Sequence, residues 1–178
     1  MSQQFKALLV EQPEKKTFTR TIVTRTVSDL PEGELVVKVH YSSLNFKDAL
    51  SAVGNPGVTR NFPHTPGIDA AGEVVECSDG RFSPGEQVIV TSYDLGMETD
   101  GGFGQMIRVP SKWALKLPEG LSLKESMMLG TTGLTAAMSV HELIESGVKP
   151  TDGSILVTGA TGGVGSLAVA MLAKAGYQ

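Results

Sequence analysis

Through about residue 110, apolar and polar positions alternate in short runs, the two-residue period of half-buried strands. Phe5 to Val10 forms the first run, and Arg20 to Val27 alternates Thr with Ile and Val. Glu34 to Ser42 (ELVVKVHYS) alternates cleanly, and Gly72 to Glu76, Glu86 to Thr91 and Gly104 to Pro110 complete the series. Breakers separate them: Pro31-Glu32-Gly33, Gly54-Asn55-Pro56-Gly57, Pro63 to Gly67 and Ser83-Pro84-Gly85. Short strands at even spacing predict a β-barrel or sandwich.

From Leu121 the period lengthens. Ser122, followed three residues later by Glu125, predicts a capping box opening a helix. Gly133 to Glu145 (GLTAAMSVHELIE) has helical periodicity and is predicted to set Leu134, Ala137, Met138 and His141 on one face. Gly147 to Gly153 reads as a turn into Ile155-Leu156-Val157, a run suited to a buried parallel strand. Ser166 to Lys174 follows as a small-residue helix.

Between that strand and that helix lies Gly159-Ala160-Thr161-Gly162-Gly163-Val164-Gly165. Glycines here would let the backbone turn sharply and approach a pyrophosphate, whose charge sits on the N–H groups of the helix N-terminus. In the register of the dinucleotide fingerprint, Ala160 stands where the first glycine belongs. Taken alone, the run is also open to reading as the glycine-rich turn of another α/β protein.

Composition narrows the classes. The net charge of −4 with scattered Lys and Arg gives no basic patch, so no nucleic-acid partner is expected. A single cysteine, Cys77, excludes an intramolecular disulfide and any CxxC zinc site, and its only nearby basic residue is Arg81, which predicts an inert thiol. No signal-peptide core opens the chain, and no apolar stretch approaches the ~18 residues of a membrane span, so a cytoplasmic protein without a membrane partner is expected.

With Leu30 to Gly33 (LPEG), Ser42 to Leu50 (SSLNFKDAL), Arg60 to Pro63 (RNFP), Pro66 to Asp69 (PGID), Arg81-Phe82 and Val157 to Ser166 (VTGATGGVGS), the chain resembles the medium-chain dehydrogenase/reductase superfamily in its zinc-free quinone oxidoreductase branch, and more narrowly its acrylyl-CoA reductase group. The resemblance spans nearly the whole chain. It implies an α+β protein: a GroES-like β-barrel catalytic domain over residues 1–125, then the first β-α unit of a truncated NAD(P)-binding Rossmann domain over 126–178.

Zinc-dependent members of that superfamily hold a catalytic metal at the positions matching Asn45, Ile68 and Thr131. Isoleucine has no ligand atom, and neutral amide and hydroxyl oxygens are poor zinc donors, so no metal is expected. Without a Lewis acid, alcohol oxidation gives way to reduction of an activated C=C bond.

By the same resemblance Asn45 faces the nicotinamide and substrate, Asp48 and Asp69 support it, and Lys47 takes the place of a proton-relay hydroxyl. Read without the family, Asp48 caps a helix beginning near Ala49 and Lys47 is solvated. Tyr41 is a candidate proton donor or a core residue at a strand end. In Gly130 to Ala136 (GTTGLTA), Thr135 matches a threonine that lies against the nicotinamide; Thr131 joins it as a cofactor residue, while Thr131 or Thr132 could equally cap a helix. Gly159, Ala160, Thr161, Gly162, Gly163, Val164 and Gly165 form the expected cofactor turn. His40, His64 and His141 read as structural, and Met127-Met128 as core filling.

The residue that would choose NAD or NADP falls past Gln178, ~20 positions beyond the third glycine; the resemblance implies NADPH. The expected activity is zinc-independent, NADPH-dependent reduction of an α,β-unsaturated acyl-CoA, an enone or a quinone by a homodimer, with the chain inactive by itself. The alternative is a non-catalytic binding or scaffold module. A lone β-α unit cannot bury both faces of its strand, so residues from about 150 onward are expected to dock on the β domain or on a second chain.

Overall fold

The computed structural model describes residues 3–178, which divide into two compact units, the first ending at Met128 and the second running from Leu129 to Gln178. In the first unit, β1 (Gln4–Glu14) and β2 (Thr17–Thr26) form an antiparallel hairpin. Strands β3 (Leu35–Tyr41), β4 (Asp69–Cys77), β5 (Gln87–Thr91), β6 (Met106–Val109) and β7 (Ala114–Lys116) make a sheet in the order β6-β3-β4-β5-β7, every pairing antiparallel. The free edge of β1 bridges to this part of the unit at Ala7–Gly104 and Val10–His64.

Alternation explains the layers. In β3, Leu35 and Val37 face a core with Ala70, Val74, Val88, Val90, Ile107 and Val109, whereas Val36, one residue out of phase, packs with Phe5, Ala7, Leu30 and Met106. Both faces of β3 are therefore buried over Leu35 to Val37, as the unbroken LVV suggests, and the strand emerges into solvent beyond. A third cluster sets Leu123 and Met127, at the start of helix α2 (Leu123–Glu145), on Ala71 of β4. The predicted strands lie within four residues of those found, the largest gap being the end of β1, while β7 carries no alternation and is not predicted.

Ser122 and Glu125 form the predicted capping box: Ser122 N–H donates to Glu125 Oε2 at 2.9 Å, and Glu125 N–H to Ser122 Oγ at 3.2 Å. Helix α2 is broken at Gly130, whose φ of 49° and ψ of −150° are not helical. Met127 is buried as expected, but Met128 is 70% exposed and fills no core gap.

In the second unit, the rest of α2 packs with helix α3 (Gly163–Lys174) through Val140, Leu143, Ala168, Met171, Leu172 and Tyr177. The predicted helix face is wrong. Leu134, Ala137, Met138 and His141 are exposed, and the buried line runs through Gly133, Ala136 and Val140. Of these, Val140 packs with Leu172 and Tyr177, while Gly133 lies against the Leu129 side chain one turn back. Helix α3 also starts three residues before the predicted Ser166. Ile155-Leu156-Val157 is extended but is not a strand, because no ladder partner lies beside it among the described residues; the Ile155 N–H donates to Gln178 O at 2.7 Å.

Candidate functional site

Loop 42–45 leaves β3 and turns into helix α1 (Phe46–Ala52), crossing the start of β4. Asn45 is the N-cap of α1 and Asp48 its third residue. The helix thus starts before the position expected if Asp48 were its cap, and the Asp48 carboxylate serves instead as the third-residue half of a capping box with Asn45, with a second oxygen left for the residue before β4. Its Oδ2 accepts the Asn45 N–H at 2.7 Å and its Oδ1 the Ile68 N–H at 2.9 Å. In return the Asp48 N–H donates to Asn45 O at 3.0 Å.

Side chains tie the same two segments. Asn45 Nδ2 donates to Asp69 Oδ2 at 2.9 Å, and Ser42 Oγ donates to Asp69 O at 2.7 Å. Ser43 Oγ donates to Met127 O at 2.7 Å, anchoring the loop to the start of α2. Asp48 is 3% and Asp69 0% exposed, so two carboxylates lie buried side by side. Burial raises the Asp48 carboxyl above the ordinary range against the two N–H groups that favour its charge, and the Asp69 charge pushes the same way.

Segment 64–69 beneath the loop is buried throughout. Asp100 holds it, accepting the Thr65 N–H at 2.9 Å and pairing with Arg25 at 2.7 Å. His64 Nε2–H donates to Gly96 O at 2.9 Å, and burial lowers the His64 pKa. At Gly102 a Cβ would stand 2.3 Å from Asp69 O and 2.8 Å from Ser42 Oγ, so only glycine lets that chain pass so near the site.

The first unit therefore brings Asn45, Asp48 and Asp69 together, with Lys47 exposed and Tyr41 44% exposed rather than in the core. Large apolar side chains flank Asn45 on the surface: Leu44 is 88% and Phe46 80% exposed. Sequence reasoning missed the parts played by Ser42, Ser43 and the Ile68 backbone; the repeated serine before Asn45 was the only cue. His40 stands 3.5 Å from Glu73, and Cys77 Sγ donates to Asp79 Oδ1 at 3.0 Å. Among the described residues, no three or more His, Cys, Asp or Glu side chains gather as metal ligands would.

The second unit carries the glycine turn. Gly162 N–H donates to Gly159 O at 2.9 Å, and α3 begins at Gly163 with Gly162 as its N-cap. A Cβ on Gly165 would lie 2.2 Å from Gly159 O, so the closed turn tolerates no side chain there. That close approach suits a pyrophosphate cradle, with the first N–H groups of α3 as donors. Ala160, Thr161 and Val164 complete the turn, and a cleft of about 590 Å³ lined by Val140, Leu143, Val157, Gly163 and Leu172 opens beside it. Thr135 Oγ1 donates to Thr131 O at 2.8 Å and Thr132 Oγ1 to Leu129 O at 2.9 Å, bonds that run back along the helix. No helix of the described residues is long and apolar enough to cross a membrane.

Known proteins are similar to this chain in sequence and fold. The chain is 43% identical to acrylyl-CoA reductase AcuI of Ruegeria pomeroyi, over 98% of its own length and 53% of that protein. Among solved structures, Bacillus subtilis yhfP with NAD bound superposes with a TM-score of 0.95 at 47% identity, covering 99% of this chain and 54% of that one. The yhdH oxidoreductase of Salmonella enterica in complex with NADP gives 0.93 at 44% identity, covering 97% and 53%. The chain thus spans about half the length of the relatives it matches. The model of the alcohol dehydrogenase GroES-like domain matches residues 31–119, half of the chain, from before β3 to beyond β7. With that sheet, and with the Asn45 loop laid across it, the chain belongs to the alcohol dehydrogenase GroES-like family.

Proposed function

We propose that this chain supplies the catalytic domain and the opening of the cofactor domain of a zinc-independent, NADPH-dependent reductase of activated C=C bonds, with an α,β-unsaturated acyl-CoA as substrate and enones or quinones as related acceptors. The observation that carries the reading is the Asn45 amide, anchored on a buried carboxylate, where zinc-dependent members of the superfamily need a thiolate. Similarity to AcuI and to nicotinamide-bound yhdH and yhfP supports the substrate class and the cofactor.

Gly159 to Gly165 would hold the pyrophosphate on the N-terminus of α3, with Thr131 and Thr135 as further contacts of the cofactor. When bound, NADPH supplies a hydride to the β-carbon of the substrate. This chain's residues handle the charge that follows. One Nδ2 proton of Asn45 is spent on Asp69; the other donates to the substrate carbonyl oxygen as it becomes an enolate. A donor fixed before the reaction stabilises that oxyanion without reorganising. Asp69 holds the amide and Asp48 holds the loop. Leu44 and Phe46 offer apolar contact to the acyl group, and Lys47 or Tyr41 delivers a proton to the α-carbon of the enolate and is reprotonated from solvent. Ile68 offers no ligand atom, so the chemistry proceeds without a Lewis acid.

The test is NADPH consumption with acrylyl-CoA by the protein that carries this sequence, in the presence of a chelator. Chelator-insensitive turnover is expected, and Asn45→Ala should lower kcat by about 10²-fold with the fold kept. Turnover that needs added zinc, or unchanged kinetics in Asn45→Ala, overturns the reading.

A further inference from the structure

We infer that Asp48 is a positioning residue: by bridging the backbone N–H groups of Asn45 and Ile68, its buried carboxylate fixes the distance between two loops and so holds the Asn45 amide against Asp69. The role it gives Asn45 in turnover rests on the reductase reading, but the geometry does not.

Each end of the argument is a contact. Asn45 lies on the α1 side and Asp69 on the β4 side, twenty-four residues apart in the chain, and their side-chain bond of 2.9 Å spans the two. That bond exists only while the backbones stay in register. Asp48 links them directly, with one oxygen on Asn45 N–H at 2.7 Å and the other on Ile68 N–H at 2.9 Å. Ser42 Oγ on Asp69 O, at 2.7 Å, ties the opposite end of the loop. A side chain with two acceptors fills the Asp48 position; asparagine has the same shape but one acceptor and one donor, so one backbone N–H would face an NH₂ group. The groups facing Asp48 are Asn45, Ile68 N–H and the Asp69 carboxylate.

The buried Ser51–Thr59 hydroxyl pair, 2.7 Å apart, gives a control on the same helix that touches neither loop. In this chain, Asp48→Asn should speed solvent exchange of the Asn45 side-chain amide at least tenfold by NMR, while Ser51→Ala, destabilising but distant, should leave it within twofold. The proposal falls if Asp48→Asn leaves that exchange within twofold, or if Ser51→Ala raises it equally. Should Asp48→Asn fail to fold, an acid titration of the unmodified chain decides. The Asn45 side-chain amide signal should shift as the Asp48 carboxyl takes up its proton; a signal that stays in place through that step overturns the proposal. Neither readout uses turnover, so failure of the reductase reading, seen as Asn45→Ala with full activity, is separate.

Discussion

The two units solve backbone satisfaction differently. Residues 1–128 lay an extended chain into ladders on both sides of β3, β4 and β5, and the turns between them are pinned by Asp48, Asp100 and Glu125. Residues 129–178 pack helix on helix and leave Ile155 to Val157 extended beside an open cleft, with Leu156 88% exposed. A sheet that supplies its own partners can hold buried carboxylates in fixed places. In the second unit the Ile155 N–H donates to Gln178 O, and the surface beside this segment is apolar.

Truncating core side chains should break this contrast most strongly. Ile107, 0% exposed in the sheet core, leaves a closed void when cut to alanine, and a loss of about 4 kcal/mol is expected. Leu172, 7% exposed, borders the cleft, so its truncation forfeits fewer contacts, about 2 kcal/mol. Urea unfolding followed by Trp113 fluorescence in the first unit, and by Tyr177 NMR signals in the second, separates the two. Equal losses would dissolve the comparison.

The same contrast governs added volume. Gly102→Ala drives a Cβ to within 2.3 Å of backbone at Asp69, which the sheet holds in place, and should cost about 2 kcal/mol. Gly163→Ala meets only the Thr132 side chain, at 3.0 Å, and starts a helix; a change within about 0.5 kcal/mol is expected. Thermal shifts of both variants check this, and a larger cost for Gly163→Ala would reverse the assignment of the rigid unit.

How much of this was legible depended on whether the signal was local. Glu34 to Ser42 predicted β3 because alternation and flanking breakers are read along the chain, and the Ser122–Glu125 box was visible for the same reason. Strand β7 was not, since three residues carry no period. The inner face of α2 was misread because Gly133 and Ala136 carry almost no apolar signal while larger apolar residues stand on the exposed face, and only Val140, packed on Leu172 and Tyr177, marks the buried line. At the site, the sequence indicated Asn45, Asp48 and Asp69 by type and by family. The bond from Asn45 to Asp69 and the reach of Asp48 to the Ile68 backbone arise from how two loops cross, and no spacing encodes that.

Acid should act on the first unit through His64. Burial holds its pKa below the ordinary 6.5, so the folded chain stays neutral where the unfolded chain takes a proton. The stability it contributes is therefore complete above about pH 6.5 and is lost as pH falls toward the folded pKa. Asp48 runs the other way: its raised pKa means stability is regained as pH drops through the acid range. Urea midpoints by Trp113 fluorescence should decline below about pH 6.5, and His64→Gln should remove that slope. A slope that persists in the variant would place the titrating group elsewhere.

The smallest contrast lies in how the two stretches of α2 use hydroxyls. Ser122 accepts the Glu125 N–H and gives its own proton to Glu125 Oε2 at 2.6 Å, so it satisfies a helix start that has no other partner. Thr132 and Thr135 donate to carbonyls one turn back, groups already within the helix. Ser122→Ala should therefore cost about 1 kcal/mol, while Thr132→Val, which keeps the branched shape, should cost less than about 0.5 kcal/mol. Chemical denaturation resolves that difference. If the two were equal, the cap at Ser122 would add nothing beyond what any exposed hydroxyl adds, and the start of α2 would owe its place to Leu123 and Met127 on Ala71 alone.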